Sequence, residues 1–146
     1  MAVSHYLALV FGLLFIVAGF VKLIPLDNDQ KGHGLPQMYT DFERFLTVLP
    51  LRDVVGIKTA AMYLSLVGAT EVLLGALLAF GRPVCRVFAA VPLLGIMIGA
   101  AYTLVMVGEP LSHTVPAVVF GAALVYILLN QRGLGGGVIS TKSKSN

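Results

Sequence analysis

The strongest constraint on the fold of this sequence is one carboxylate, Glu71, in the middle of an apolar run from position 59 to position 80. As an α-helix, this run is roughly 33 Å long, enough to cross the ~30 Å hydrocarbon core of a bilayer. Glu71 would then lie near the bilayer midplane, where an ionisable group is costly and normally faces protein or trapped water. The sequence therefore predicts a membrane-spanning helix that turns Glu71 toward other helices.

Two roles for Glu71 remain open. Gly68 and Gly75 share its helical face, and glycines on one face let transmembrane helices approach closely. Glu71 either fastens two such helices or belongs to a binding or proton site. Because burial disfavours the charged carboxylate, we expect a neutral acid that is hydrogen-bonded to another span, with Tyr102 and its neighbour Thr103 as first candidates.

Composition supports a membrane protein, since the chain is 58% hydrophobic and 12% charged, with a mean hydropathy of +0.91. Soluble domains usually contain about 25% charged residues. Apolar runs predict four spans, at 6–24, 59–80, 84–107 and 112–130. We therefore expect an all-α membrane protein, with one four-transmembrane-helix bundle over residues 1–130 and a flexible basic and serine-rich tail over 131–146.

The first connection contains a predicted amphipathic helix within residues 37–49. It lies on the membrane surface or caps the bundle, because its polar residues fall largely on one side and its apolar residues on the other. The apolar side consists of Met38, Phe42, Phe45 and Leu49.

Three other features are candidates for packing or binding. Gly95 and Gly99 have the GxxxG spacing of helix-packing glycines. His113 stands at the entrance of the fourth span. Lys22, near the end of the first span, either extends to the headgroups or forms an inward ion pair. Geometry argues against a pair with Glu71, because Glu71 lies 12 residues beyond Thr59, about 18 Å deeper.

Several classes of site are not expected. One cysteine cannot form an intrachain disulfide, and three scattered histidines do not make a metal or haem site. The net charge of +3 is spread over helix ends and the tail, so nucleic-acid binding is not expected. We expect no catalytic residues, no cofactor and a lipid bilayer as surroundings, while homo-oligomerisation is left open.

Four spans place both termini on one side of the membrane. Arg82 and Arg86 lie in a very short turn on that side, where the positive-inside rule is strongest, so we expect cytosolic termini. Lys142 and Lys144 in the last five residues have the spacing of an endoplasmic-reticulum retrieval signal.

Several segments resemble a known family. They are Gly19-x-x-Lys22-Leu23, then MYTDFERFLTVLPL, GATEVLLG and GRP, and finally VGEPLSHTVPAVVFG. Together they resemble the transmembrane protein 35 family, which includes an acetylcholine receptor chaperone, within the DoxX-like group of four-helix membrane proteins. The resemblance extends from about Gly12 to Leu129.

The resemblance implies an endoplasmic-reticulum chaperone, not an enzyme, that assists assembly of nicotinic-type channel subunits. The apolar side of the amphipathic helix then supplies the candidate client contacts. A second hypothesis is a DoxX-like membrane subunit of an oxidoreductase that binds a quinone. A third is a small transporter using Glu71 and Lys22, which the lack of an evident internal repeat disfavours.

Overall fold

The computed structural model describes residues 2–24, 36–49 and 52–132. Six helices lie in these ranges: α1 Ala2–Leu23, α2 Pro36–Val48, α3 Arg52–Val55, α4 Ala60–Phe80, α5 Pro83–Val107 and α6 Leu111–Arg132. Four of them, α1, α4, α5 and α6, are long and apolar enough to cross a membrane. The predicted all-α four-span architecture is confirmed.

The predicted helix ends differ from the observed ones by four residues at most. The largest difference is at α1, which begins at Ala2 and not at position 6. Thr59 caps α4 by accepting a hydrogen bond from the Met62 amide. Pro83 occupies the first turn of α5, where its missing amide costs little. Gly108 ends α5 with a φ of 81°, which a glycine adopts without strain.

α1 and α4 form the closest pair of helices in the bundle. A Cβ atom built on Gly75 would lie 2.8 Å from the Gly12 carbonyl oxygen, and one built on Gly68 would lie 2.9 Å from the Gly19 carbonyl oxygen. The two backbones therefore touch along the glycine face of α4, as the sequence predicts for Gly68 and Gly75. Only glycine fits this separation, because any side chain would overlap the backbone of the other helix.

The hydrophobic core fills one end of the bundle, which we call the turn end because the α4–α5 turn lies there. Phe15, Leu78, Leu93 and Leu124 are fully buried in it. Phe120 of α6 packs edge-on against both Phe11 and Phe15 of α1, with ring centroids 5.1 and 5.0 Å apart. All four long helices are thus held together at the turn end.

The opposite end, which we call the α2 end, is covered by the amphipathic helix. Leu46 of α2 is buried with Ile57 and Ala60, and Phe42 packs against Tyr63 of α4 at a centroid distance of 5.0 Å. α2 therefore caps the bundle, one of the two positions that its sequence pattern allows.

The structure shows where the candidate client contacts on α2 lie. Phe42, Phe45 and Leu49, proposed as client contacts, face the interior of the bundle and line a cavity. Met38, the fourth, is half-buried. The apolar side of α2 faces inward because it covers apolar surface on the spanning helices below it.

Candidate binding cavity

A cavity of about 580 Å³ lies inside the α2 end of the bundle. The helices that pack tightly at the turn end diverge here, so side chains of α1, α4, α5 and α6 surround a space that α2 covers. Its walls are mainly apolar, with residues such as Phe15, Val67, Ile96 and Phe120. A cavity of this size is within the range of ~300–1,000 Å³ that small-molecule sites occupy.

One ion pair faces this cavity. The Lys22 Nζ atom lies 2.5 Å from Glu71 Oε2, and it also donates to the Ala18 carbonyl oxygen at 3.3 Å. The Lys22 side chain is 14% exposed and that of Glu71 4% exposed. The prediction that Lys22 does not reach Glu71 is therefore wrong, and of the two roles proposed for Lys22 the inward ion pair is correct.

The offset between α1 and α4 explains this contact. A Cβ atom on Gly68 would lie 3.0 Å from the Cβ of Lys22, so the end of α1 is level with Gly68 and not with Ala60. About two turns of α4 extend beyond α1 and pack under α2. The depth expected for Glu71 below Lys22 requires α1 and α4 to end at the same membrane face, and their offset makes the actual depth smaller by about these two turns.

Tyr102 is not the partner of Glu71. It is 44% exposed on the outer side of α5 and does not line the cavity. Its neighbour Thr103 is buried and lines the cavity, but its hydroxyl donates within its own helix, to the Gly99 and Ala100 carbonyl oxygens at 3.0 Å. The expected hydrogen bond from this part of α5 to Glu71 is thus replaced by the ion pair.

His113 lies at the rim of the cavity, away from the Lys22–Glu71 pair. Its Nδ1 atom is 3.1 Å from Glu109 Oε2, and Arg44 Nη1 donates to Glu109 Oε1 at 2.9 Å. Arg44 belongs to α2 and Glu109 to the α5–α6 connection, so the Arg44–Glu109 contact joins α2 to this connection over the cavity. Because the Arg44 and His113 side chains are more than half exposed, they contribute little stability individually.

Gly95 and Gly99, predicted as helix-packing glycines, do not lie at a contact between described helices. Among the described residues, no atom outside their own helix lies within 4 Å of a Cβ built on either glycine, and both glycines line the cavity. They therefore do not pack against any of the other described helices. Gly95 is also exposed, so the wall of the cavity is thin at this position.

The arrangement suits an apolar ligand with one polar group. Lys22 can donate a hydrogen bond and Glu71 can accept one at the wall, while the apolar residues surround the remainder of the ligand. The described residues contain no group of three or more His, Cys, Asp or Glu side chains that could hold a metal ion. The cavity itself has no simple sequence signal, because it results from the divergence of helices that are distant in the chain.

Lys142 and Lys144, the residues of the predicted retrieval signal, lie outside the described residues. The same is true of most of the predicted tail, although α6 continues to Arg132.

Comparison with known families gives one match. The model of the DoxX family matches residues 6–106, more than two thirds of the chain. The matched segment includes Lys22, Glu71 and the glycines of α1, α4 and α5. It ends before His113 and α6.

Proposed function

Given that this chain belongs to the DoxX family, we propose that it binds a lipid-soluble small molecule of the quinone class as the membrane subunit of an oxidoreductase. The cavity supports this proposal, because it combines apolar walls with one ion pair and a thin wall at the exposed Gly95. Entry from the bilayer suits a ligand that is itself dissolved in lipid. A quinone carbonyl would accept a hydrogen bond from Lys22, while the rest of the molecule fills the apolar part.

In this proposal the chain is not itself an enzyme. Electrons come to the quinone from a redox centre in a partner subunit, because one cysteine and three scattered histidines give this chain few ligands for such a centre. The role of the chain is to take up the quinone and hold it at a fixed position. The partner subunit supplies the oxidation–reduction chemistry.

Gly99→Leu should weaken quinone binding without disturbing the fold. The new side chain would extend into the cavity, since Gly99 lines it and a Cβ there meets no atom outside its own helix within 4 Å among the described residues. We expect labelling of the purified protein by a photoreactive azido-ubiquinone to fall about tenfold, because overfilling a site costs on the order of 1–3 kcal/mol. Labelled peptides identified by mass spectrometry, with decylubiquinone as competitor, provide the measurement.

Ala122→Leu is the matched control, because it adds a side chain of similar size at an exposed position of α6. Its labelling should equal that of the wild type. Labelling that persists in Gly99→Leu, or that spreads over lipid-facing positions in both variants, would show that the cavity is not the quinone site.

A second proposal is the endoplasmic-reticulum chaperone for nicotinic-type channel subunits that the resemblance to the transmembrane protein 35 family implies. The observation that favours it is the exposed position of Gly95 on α5, where a Cβ atom would meet no atom outside its own helix within 4 Å among the described residues. A transmembrane helix of an unassembled subunit could pack there. In this proposal the termini are cytosolic and Lys142 and Lys144 are the retrieval signal.

Capture of the protein from mild detergent distinguishes the two proposals. A chaperone should recover co-expressed receptor subunits, and Gly95→Leu should reduce that recovery while Ala122→Leu leaves it unchanged. Recovery of a redox enzyme in place of receptor subunits supports the first proposal. Protease protection of a C-terminal tag in selectively permeabilised cells would contradict the cytosolic termini and the retrieval signal together.

A further inference from the structure

A second charged group is buried at the turn end, far from the cavity. Arg86, in the first turn of α5, is 7% exposed. Its Nη1 atom lies 2.8 Å from His5 Nδ1, and its Nε atom has no hydrogen-bond partner among the described residues. A buried guanidinium is normally paired with an anion, because its desolvation is costly.

No carboxylate of the described chain is available to Arg86. Glu71 is paired with Lys22, and Glu109 with Arg44 and His113. The remaining described acids lie on α2 and α3, at the other end of the bundle. The turn end therefore has a buried positive charge without a negative one among the described residues.

The start of α5 adds further positive character at the same place. Its N-cap residue, Arg82, is exposed and makes no side-chain capping bond, so the first amides of the helix are not capped by it. A helix N-terminus favours an anion through its dipole and its free N–H groups. Arg86 lies within this same turn, so the two features act on one region.

The position of this region relative to the bilayer indicates which anion binds there. Large apolar side chains are exposed around the turn end on α1, α4 and α5, including Val3, Phe80 and Val84. These exposed apolar side chains mark the edge of the hydrocarbon region of the bilayer. Phospholipid phosphates lie immediately outside the hydrocarbon region. We propose that Arg86 and the first turn of α5 bind a phosphate group, supplied by the headgroup of an anionic phospholipid.

The proposal is tested with the full chain in nanodiscs of phosphatidylcholine, with and without phosphatidylglycerol. The unfolding midpoint of the wild type should rise when phosphatidylglycerol is present. Arg86→Gln should lose this rise and bind the lipid about tenfold more weakly in native mass spectrometry, because its charged hydrogen bonds are gone. In phosphatidylcholine alone, where the choline cation competes with Arg86 for the phosphate, Arg86→Gln should change the unfolding midpoint little.

Arg82→Gln is the matched control, since it removes the same charge from an exposed side chain four residues earlier and should keep most of the response. A loss of stability in Arg86→Gln that is equal in both lipids would overturn the proposal and leave the contact with His5 as the role of Arg86. A rise of the same size with inorganic phosphate in detergent would show a free anion site and overturn the lipid assignment.

Arg86→Lys replaces Arg86→Gln in the lipid-binding test if Arg86→Gln does not fold. It keeps the charge but loses the planar fork of the guanidinium, so it should bind phosphatidylglycerol more weakly than the wild type. An affinity equal to that of the wild type would contradict the proposed contact.

Discussion

Glu71→Gln should destabilise this protein strongly, although it changes only one oxygen atom to a nitrogen. The substitution leaves Lys22 charged and part-buried without its counter-charge. Removing one partner of a buried ion pair typically costs about 3–5 kcal/mol. For a chain of this size that corresponds to a fall of roughly 10 °C in the unfolding midpoint, which thermal unfolding followed by size-exclusion chromatography in detergent would measure.

The double variant Lys22→Met with Glu71→Leu provides the control. Replacing both charges by apolar side chains of similar volume is often neutral, so its midpoint should be close to that of the wild type. If Glu71→Gln alone keeps the wild-type midpoint, Glu71 is the neutral acid that the sequence predicts. If the double variant folds but no longer binds azido-ubiquinone, the pair also takes part in ligand binding.

Gly75→Ala and Gly99→Ala should have effects of opposite sign. A Cβ on Gly75 would lie 2.8 Å from the Gly12 carbonyl oxygen and 3.0 Å from the Phe15 Cβ, so α1 and α4 must separate. Overpacking of this kind costs about 1–3 kcal/mol. In the part of the chain that the structure describes, a Cβ on Gly99 meets no atom outside its own helix within 4 Å, and alanine is favoured over glycine inside a helix by about 1 kcal/mol.

The unfolding midpoints of these two variants, measured side by side with the wild type, test the packing. Gly75→Leu extends the series and should prevent accumulation of folded protein, whereas Gly99→Leu should fold. Equal midpoints for the two alanine variants would contradict the close contact of α1 with α4.

The sequence alone was sufficient for the four spans and for the amphipathic helix. Each of these is a local property, because hydrophobic run length and periodicity along one segment decide whether it crosses or covers a bilayer. The sequence also predicts the face of α4 that contains Gly68, Glu71 and Gly75. This too is a local property, since residues spaced by three or four positions share one side of a helix.

The partners of these side chains depend on helix offsets that the sequence does not contain. Lys22 reaches Glu71 only because α4 begins about two turns beyond the end of α1, under a cap formed by α2. Gly95 and Gly99 have the spacing of packing glycines, yet they line a cavity because α5 diverges from its neighbours at this end. Offset and divergence are set by all the contacts between helices together, so only the tertiary structure decided which polar groups meet and where the bundle stays open.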